Sequence, residues 1–380
     1  MDVFPPCYFR ALIVPFLFAH KWSFLSMYEY IGAVHIHSTY SDGTGEVADI
    51  VRCGSEVGLD FLMLSDHNSL RAKKDGHEGW RDDVMVLIGY EINDREDKNH
   101  YLAFGLDKEV GVRITAQEYV RRVKEQGGIG FIAHPDEKRS SMPEHPPYPW
   151  NAWDSEDFDG IEIWNHMSEW AEGLTEENKF QRFIHPLKSI IAPPPETLRR
   201  WDELNRVRRV VGIGGTDAHA HKADVMGFFD VEVFPYKVMF KSVHTHVLLE
   251  EPLKRNSDQH FEEDKWRIYD ALRQGRCFVA NSYYGDPRGF AFYATSATET
   301  HQQGDFVLFP GAGKLALHIE LPQEARVRLL CNGELVDEGK KRELTHSVSQ
   351  QGAWRVEAWM EDKGWIYSNH IRIGDADGRC

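Results

Sequence analysis

Residues 34–46 read VHIHSTYSDGTGE, an apolar segment that carries His35 and His37 two positions apart and is followed by Asp42. Side chains two positions apart in a β-strand share a face, so a strand here would place both imidazoles on one face. Two imidazoles on a buried face suit a metal ion, whereas a single buried histidine is more often a hydrogen-bonded core residue. The rest of the sequence distinguishes between these two interpretations.

Length, charge and cysteine content restrict the class of protein. The chain has 380 residues, more than one core usually contains, so one large and one smaller domain are expected. A formal net charge of −16 argues against nucleic acid or an anionic membrane as a partner, because both need a basic surface. The five cysteines form no CxxC pair, which is typical of a reduced, cytoplasmic protein. We therefore expect a cytoplasmic protein with a small-molecule partner, and the oligomeric state stays open.

An apolar run near the N-terminus, residues 11–19 (ALIVPFLFA), has two interpretations. The run is too short to span a bilayer, and no convincing signal-peptidase site follows it. We therefore favour an N-terminal extension over residues 1–27, with folding beginning near Met27, over a secretory signal peptide.

Short apolar runs alternate with amphipathic stretches through the first three quarters of the chain. The predicted strands are 31–36, 60–64, 84–88, 101–104, 129–133, 160–164 and 210–213. Residues 46–57 and 116–126 carry apolar side chains at helical spacing, and a further helix is expected near 262–274. Repeated strand–helix alternation predicts an α/β domain with a parallel sheet.

The pattern changes near residue 288. Segments such as LALHIEL, ARVRLLC and WRVEAWM alternate apolar and polar residues, and turn signals such as CNGE separate them. Half-buried strands of an antiparallel sheet show this alternation. We predict an α/β domain over residues 28–287 and a small antiparallel β-sandwich over residues 288–380.

Most of the predicted strands of the first domain deliver metal-competent side chains at their C-terminal ends, and one more delivers a histidine at its start. The candidates are His35, His37, Asp42, His67, Glu91, His100, His134, Asp217 and His219. The C-terminal rim of a parallel α/β barrel is where such enzymes carry out their chemistry. One closed site needs about four ligands, so nine indicate two or three ions. A bridging carboxylate such as Glu91 could hold two ions, with a shared hydroxide as nucleophile, which indicates hydrolysis.

Five motifs, HIHSTYSDG, SDHN, GYE, AHPD and GTDAH, stand in the order found in the PHP (polymerase and histidinol phosphatase) superfamily, which the chain resembles over roughly residues 28–285. The resemblance implies a distorted (β/α)7 TIM-like barrel with a trinuclear Zn, Mn or Fe centre at its rim. One ion would have His35, His37, Glu91 and Asp217, a second Glu91, His100 and His134, and a third Asp42, His67 and His219. No ligand position is missing. The small C-terminal β-sandwich resembles that of stand-alone members, so a replicative role is not expected.

Side chains near the motifs have functional and structural interpretations. Lys138 and Arg139 after AHPD, like Arg71, Lys73 and Lys74 after SDHN, would suit a phosphate group, although solvated loop charges are commoner. Trp150 and Trp153 could wall a substrate pocket or pack a long loop onto the barrel. His166 and His221 are candidates for the general acid. Asp66 either orients His67 or caps the turn that follows.

Three functions follow from this pattern. The first is a metal-dependent phosphoesterase with Glu91 at its catalytic centre, because clustered divalent ions stabilise charge on a reacting phosphoryl group. The second is a carboxylic ester or carbamate hydrolase on the same metal centre, which needs no cationic pocket. The third is a metal-loaded binding protein without turnover. Imidazole and carboxylate ligands do not distinguish Zn, Mn and Fe.

Overall fold

The computed structural model of the protein describes residues 27–139, 146–225, 229–255 and 258–380. The predicted N-terminal extension lies outside these ranges, apart from Met27. Among the described helices, none combines the length and apolar character needed to cross a bilayer.

The secondary structure of the described residues consists of 21 strands, eight α-helices and two short 3-10 helices. The strands are β1 (Tyr28–Ile36), β2 (Phe61–Leu64), β3 (Gly79–Arg81), β4 (Val84–Ile88), β5 (Tyr90–Asn93), β6 (His100–Phe104), β7 (Ile129–Ile132), β8 (Gly160–Asn165), β9 (Val211–Gly215), β10 (Lys222–Val225), β11 (Phe229–Glu232), β12 (Val243–Leu249), β13 (Cys277–Asn281), β14 (Ala291–Thr295), β15 (Thr300–Gln302), β16 (Phe306–Leu308), β17 (Ala316–Cys331), β18 (Glu334–Ser347), β19 (Gly352–Met360), β20 (Lys363–Ser368) and β21 (Ile371–Gly374). The helices are α1 (Val47–Val57), α2 (Arg71–Lys74), α3 (Ala116–Glu125), α4 (His166–Glu172), α5 (Lys179–Ile184), α6 (Pro195–Val207), α7 (Tyr236–Met239) and α8 (Phe261–Gln274), with 3-10 turns at Pro186–Ser189 and Asp258–His260.

The predicted helices and strands of the first domain are confirmed to within a few residues, and their ends have local causes. Helix α1 ends at Gly58, whose φ of 81° lies in the left-handed region that glycine adopts without strain. Helix α3 begins after Thr115, whose hydroxyl accepts a hydrogen bond from the Glu118 backbone N–H. Both helices bury apolar side chains at helical spacing, as their sequences predict.

The prediction of a parallel sheet holds only in part. Strands β1, β2 and β4 are parallel, and so are β7, β8 and β9, but β5–β6 and β6–β7 pair antiparallel, as do β1–β12 and β12–β13. Strands β5 and β6 pair antiparallel because they form a hairpin. Two isolated bridges, Ile36–Ala218 and His67–Glu91, link the sheets of β1 and β5. The class is therefore mixed α/β, and the described strands do not form one closed hydrogen-bonded cylinder.

Alternate residues of seven strands share one apolar interior. Strands β1, β2, β4, β6, β7, β9 and β12 all contribute to this cluster, and α8 packs against it through Ile268 and Leu272. The opposite faces of these strands pack against α1, α3 and α6 in a second apolar cluster. The strands therefore have apolar surroundings on both faces, and their ends are left for polar side chains.

The C-terminal strands continue the main sheet. Strand β13 pairs antiparallel with β20, so the order runs from β12 through β13 and β20 to β19 and β17. The predicted antiparallel alternation is confirmed, and these strands have an apolar cluster of their own. The domain boundary at residue 287 stays a prediction.

A buried cluster of ion pairs connects α6 to the C-terminal strands. The Arg355 guanidinium donates hydrogen bonds to Asp202 at 2.6 and 2.8 Å and to Glu357 at 2.8 Å. His370 Nε2 lies 2.8 Å from Asp202 Oδ1, and Arg328 donates to Glu357 at 2.6 Å. We call these five residues the Arg355 cluster. Its carboxylates are neutralised by guanidinium groups of the chain itself.

Candidate metal centre

The nine predicted metal ligands converge at one end of the strands. They are His35 and His37 at the end of β1, Asp42 in the next loop, His67 after β2, Glu91 in β5, His100 at the start of β6, His134 after β7, and Asp217 and His219 after β9. His100 reaches this end although it opens its strand, because β5 and β6 form a hairpin in which Asn93 pairs with His100.

The backbone at three of these residues lies in the left-handed region. The φ angle is 63° at His35, 28° at His134 and 54° at Asp217. Such conformations cost a non-glycine residue about 1–3 kcal/mol and are concentrated at functional sites. At His35 the pairing of β1 with β2 also shifts, between Val34 and Ile36. The side chains of His35 and His37 are therefore brought together by a local irregularity of the backbone and not by regular strand alternation.

The buried Glu91 carboxylate lies between two pairs of imidazoles. Its Oε1 atom accepts a hydrogen bond from His100 Nδ1 at 2.7 Å and lies 3.4 Å from His134 Nε2. Its Oε2 atom lies 3.0 Å from His35 Nε2 and 3.2 Å from His37 Nε2. A third nitrogen, His67 Nδ1, lies 3.5 Å from Oε2 but donates its hydrogen bond to Asn93. Each carboxylate oxygen thus has a different pair of imidazoles nearest to it, so Glu91 could be shared between two cations.

Asp217 and Asp42 extend the cluster to its solvent edge. Asp217 Oδ1 lies 3.3 Å from His35 Nε2 and 3.5 Å from His219 Nδ1. Asp42 Oδ1 lies 3.3 Å from His219 Nε2, and Asp42 Oδ2 lies 3.7 Å from His67 Nε2. The Asp42 side chain is 51% exposed, so this edge is open to a ligand from solution.

The donor atoms fit divalent metal ions. Four groups place one donor from each residue within 4.8 Å of one another: His37, Asp42, His67 and His219; His35, His134 and Asp217; His35, His37 and Glu91; and Glu91, His100 and His134. The Nε2 atom of His37 is buried and makes no hydrogen bond, although Glu91 Oε2 lies 3.2 Å away, so a cation would satisfy it. Imidazole and carboxylate donors are those that Zn, Mn and Fe accept.

The electrostatics of the cluster favour bound positive charge. Burial raises the pKa of Glu91, but the imidazoles around it, His35 foremost, lower that pKa to well below its usual value. Burial lowers the pKa of His35, but the surrounding carboxylates, Asp217 foremost, raise that pKa to well above its usual value. The buried carboxylates therefore attract cations, whether protons or metal ions.

Glu162 supports two of the candidate ligands, and the sequence analysis missed it. Its Oε1 atom accepts a hydrogen bond from His35 Nδ1 at 3.0 Å, which turns His35 Nε2 toward Glu91. Its Oε2 atom accepts from the His134 backbone N–H at 2.8 Å and from Asn165 Nδ2 at 2.9 Å. Carboxylates in this position fix the tautomer of a metal-binding histidine. The available signal was an acidic residue inside the apolar strand GIEIWN.

Asn93 and Glu137 were also missed, because neither belongs to a spacing that predicts a metal ligand. Asn93 Oδ1 accepts a hydrogen bond from His67 Nδ1 at 2.9 Å. The buried Glu137 carboxylate accepts hydrogen bonds from the Arg139 guanidinium and from the Tyr148 backbone N–H. Only the folded chain brings these groups to the site.

Asp66 has a role that neither of its two predicted interpretations described. Its Oδ1 atom accepts hydrogen bonds from the Ser38 backbone N–H and the Ser41 hydroxyl, both at 2.8 Å, and its Oδ2 atom accepts from the Ser38 hydroxyl at 2.7 Å. Asp66 therefore holds the loop between His37 and Asp42.

A pocket of about 720 Å³ opens over the cluster. Seven candidate ligands line it, namely Asp42, His67, Glu91, His100, His134, Asp217 and His219. Arg139 and His221 also line the pocket, and the His221 ring stacks 4.7 Å from His219. The structure thus places these two predicted functional residues beside the cluster.

The other predicted cations lie elsewhere. Lys138 does not line this pocket; it pairs with Glu196 of α6. Lys73 pairs with Asp107 and Lys74 with Glu109, and Arg71 does not line the pocket either. The prediction of Lys138 as a substrate-binding residue is therefore not supported by its position, because its charge is already matched on the outer surface.

Trp150, Trp153 and His166 also lie away from the pocket lining. Trp150 is buried in the core near Tyr101 and Tyr119, which corresponds to the structural interpretation. The Arg200 guanidinium stacks 4.1 Å over the Trp153 ring. His166 is fully buried with Nδ1 2.5 Å from Ser242 Oγ, and burial lowers its pKa to about 3, so it is poorly placed to act as a general acid.

Comparison with known proteins gives few matches in sequence. No family model matches the chain. An uncharacterized protein of Methanocaldococcus jannaschii is 25% identical over 114 residues, which is 27% of this chain. The match covers 66% of that relative, slightly less than two thirds of its length.

Comparison with solved structures gives distant likenesses. A two-domain protein from Bacteroides vulgatus, named as containing a predicted PHP-like metal-dependent phosphoesterase, is 15% identical with a TM-score of 0.43, over 91% of this chain and 96% of that one. An amidohydrolase from Chromobacterium violaceum is 13% identical with a TM-score of 0.31, over 50% of this chain and 87% of that one. At TM-scores below 0.5 these likenesses carry no argument about activity.

Proposed function

We propose that the chain is a metal-dependent hydrolase of the PHP superfamily and that it cleaves a small phosphate ester. The observation that carries the proposal is the position of Glu91, whose two carboxylate oxygens face separate pairs of imidazoles at the base of an open pocket. The five sequence motifs support the family assignment.

The cofactor in this proposal is a set of two or three divalent ions, Zn, Mn or Fe. Glu91 would be shared between an ion held with His35, His37 and Asp217 and an ion held with His100 and His134. Asp42, His67 and His219 would hold a third. Bound ions supply Lewis-acid charge and activate water for attack on the ester.

The remaining residues of the pocket have roles in orientation and proton transfer. Glu162 fixes the tautomer of His35 and thereby the direction of its Nε2 atom. Arg139 lines the pocket, and its guanidinium, which also pairs with Glu137, would be the cation nearest to an anionic substrate. Hydrolysis forms a bond between water and phosphorus and breaks the bond to the leaving oxygen, which must then receive a proton. His221 lines the pocket and would donate that proton, although burial and the neighbouring His219 lower its pKa.

The finer architecture belongs to the same proposal. We infer a distorted (β/α)7 barrel followed by a β-sandwich. Support comes from the interior cluster, to which seven strands contribute two residues each and β3 and β13 one each, and from the bridges Ile36–Ala218 and His67–Glu91. We infer a cytoplasmic location, supported by free cysteines at all four of the cysteine positions that the structure describes.

The experiment that tests the function is a paired assay. The full chain is purified, its metal content is measured, and it is assayed with Mn, Zn or Fe against p-nitrophenyl phosphate and p-nitrophenyl acetate. We expect turnover of the phosphate that is lost in His37→Ala. Turnover of the acetate alone, again lost in His37→Ala, would overturn the phosphoesterase assignment.

A second candidate function is hydrolysis of a carboxylic ester or carbamate. The observation that favours it is the state of Arg139, whose guanidinium donates two hydrogen bonds to Glu137. Among the described residues that line the pocket, Arg139 is the only arginine or lysine. A neutral ester needs no further cation, so the acetate arm of the assay tests this candidate directly.

A further inference from the structure

One side of the pocket over the candidate ligands is apolar. It consists of Met167, Trp170 and Ala171 from α4, Phe183 from α5, and Val233 and Phe234 after β11; we call these six residues the apolar wall. Met167, Trp170 and Ala171 are spaced by three and four positions, so they share one face of α4. The pocket therefore has a polar base of candidate ligands and an apolar side.

Three aromatic rings form the centre of the apolar wall. The Trp170 and Phe234 ring centroids lie 4.4 Å apart, and those of Trp170 and Phe183 lie 5.1 Å apart, both edge to face. The indole N–H of Trp170 donates to the Arg182 carbonyl at 3.2 Å, and the Arg182 guanidinium donates to the Trp170 carbonyl at 2.8 Å. The polar edge of the indole is thus satisfied within the protein, and its ring offers the pocket an apolar surface.

Helix α5 exposes three large apolar side chains, and one of them lies at the pocket. Phe180 is 70% exposed, Phe183 46% and Ile184 52%, and the helix has no buried residue. Of these three, Phe183 lines the pocket. An exposed aromatic side chain that continues the lining of a pocket is a typical ligand contact, because ligand burial removes it from water.

Phe234 holds a conformation that is rare for a bulky residue. Its φ of 58° lies in the left-handed region, yet its side chain is buried at the pocket. Such outliers persist where the surrounding structure imposes them, and they are concentrated at ligand sites. The backbone after β11 therefore orients the Phe234 ring against Trp170.

The chemistry of the apolar wall restricts the group that it can bind. None of its six side chains carries a charge, and the only hydrogen-bonding group among them, the Trp170 N–H, is occupied. Sugars and nucleobases need polar partners for their hydroxyls and edges, because a buried polar group without a partner is costly. A hydrocarbon ring needs only apolar contact.

We propose that the apolar wall binds the leaving group of the substrate and selects esters of aryl or aralkyl alcohols over esters of small alcohols, sugars or nucleosides. The proposal rests on the proposed function, because it takes the candidate metal ligands as the site that binds the ester group. The phosphoryl end would lie over those ligands and the ring against Phe183, Trp170 and Phe234.

Binding of non-hydrolysable probes tests the proposal without turnover. Full-length protein loaded with Mn²⁺ is titrated with 2-phenylethylphosphonate and with ethylphosphonate by calorimetry. We expect the phenyl probe to bind at least about tenfold more tightly, as burial of a phenyl ring predicts. Phe183→Ala is expected to remove about fivefold of that advantage and to change ethylphosphonate binding much less. Phe180→Ala is the matched control, because Phe180 lies on the same helix outside the pocket lining.

Equal affinity for the two probes, or an equal loss in Phe180→Ala and Phe183→Ala, would overturn the proposal. Turnover of 2-phenylethyl phosphate and ethyl phosphate, whose alcohols are similarly poor leaving groups, separates it from the proposed function. Selective phosphonate binding without phosphate turnover would support the apolar wall and count against the phosphoesterase. Equal kcat/KM for both phosphates, unchanged in Phe183→Ala, would support the phosphoesterase and count against the apolar wall.

Discussion

The candidate metal centre and the Arg355 cluster are both buried assemblies of charged side chains, but they balance their charge differently. In the Arg355 cluster, Asp202 and Glu357 are paired with guanidinium groups of the chain. In the described structure, Asp42, Glu91 and Asp217 have only imidazoles as ion-pair partners. A guanidinium is always charged, whereas an imidazole can exchange its proton for a metal ion.

This difference separates a structural cluster from a functional one. The Arg355 cluster lies between α6 and the C-terminal strands, and its hydrogen bonds saturate its carboxylates. The candidate metal centre lies at an open pocket, and its carboxylates face imidazoles instead of guanidinium groups. Each cluster has a buried imidazole nitrogen without a hydrogen bond, His37 Nε2 in one and His370 Nδ1 in the other, so this feature does not separate them. Carboxylates paired with permanently charged guanidinium groups need no further cation, whereas carboxylates that face only imidazoles can take a metal ion.

The largest effect is expected for Glu91→Gln, which tests whether Glu91 is needed for metal binding and turnover. The amide keeps the shape of the carboxylate but loses the charge that two groups of donors share, so we expect metal content to fall and turnover to drop at least about 1,000-fold. The measurements are metal analysis by mass spectrometry and the p-nitrophenyl phosphate assay. Glu203→Gln, on the exposed surface of α6, is the control and should retain both. Full activity in Glu91→Gln would exclude Glu91 as a bridging ligand.

For Asp202→Asn we expect a loss of stability and no loss of metal. Removal of this charge leaves the buried Arg355 with one carboxylate partner, so the free energy of unfolding should fall by about 3–5 kcal/mol while metal content is retained. Urea denaturation measures the change. Glu203→Gln, next along α6, should stay within about 0.5 kcal/mol of the parent because its partner Arg199 is exposed. A loss of metal without a loss of stability in Asp202→Asn would contradict the division between the two clusters.

Glu169 adds a third case to this comparison, a largely buried carboxylate that forms no ion pair with any of the described residues. The charge of Arg182 lowers its pKa, but burial raises that pKa by more. Burial raises its pKa from 4.5 to about 7, although Trp164 and two backbone N–H groups donate to it. The folded state therefore binds this proton more tightly than the unfolded state. The stability that the protonated Glu169 contributes is present below pH 4.5 and is lost as the pH rises through about 7.

The expected loss between pH 4.5 and 7.5 is about 3 kcal/mol relative to Glu169→Gln, which cannot ionise. Urea denaturation of both proteins at several pH values measures it as the difference between two curves, so that other titrating groups cancel. Parallel curves for the two proteins would show that Glu169 has an ordinary pKa.

The smallest effect is expected for Glu162→Gln. The amide oxygen can still accept the His35 Nδ1 hydrogen bond at 3.0 Å, but the negative charge that strengthens His35 as a ligand is lost. Metal affinity should fall about 10- to 100-fold. Competition with a chelator measures the affinity, again with Glu203→Gln as control. An unchanged affinity would show that Glu162 only positions the His134 backbone.

Much of the fold could be predicted because local sequence carries its signals. The strand β4 and the helices α1, α3 and α8 match their predicted ranges closely, since apolar spacing and glycine stops are local properties. The antiparallel pairing of β5 and β6 was missed, because a short hairpin between two predicted parallel strands leaves no change of period. The continuation of the main sheet through β13 and β20 depends on contacts far apart in sequence.

The residues of the candidate site also divide into those that the local sequence predicts and those that it does not. His35, His37 and the other candidate ligands were identified because strand ends bearing histidine and aspartate have a recognisable spacing. The sequence left two interpretations open for Trp150 and for Lys138, because it shows that a loop is aromatic or basic but not which way its side chains point. Glu162, Asn93 and Glu137 act through hydrogen bonds to residues distant in the chain, so spacing cannot identify them.

The sequence by itself determined the α/β class, the element boundaries and the set of candidate metal ligands, because these depend on residue type and on spacing within a few positions. Only the tertiary structure decided that Glu91 lies between two pairs of imidazoles, that Glu162 supports His35, and that Phe183 joins Trp170 and Phe234. Those relations are distances between segments far apart in the chain. Packing of strands and helices sets such distances, and no local pattern encodes them.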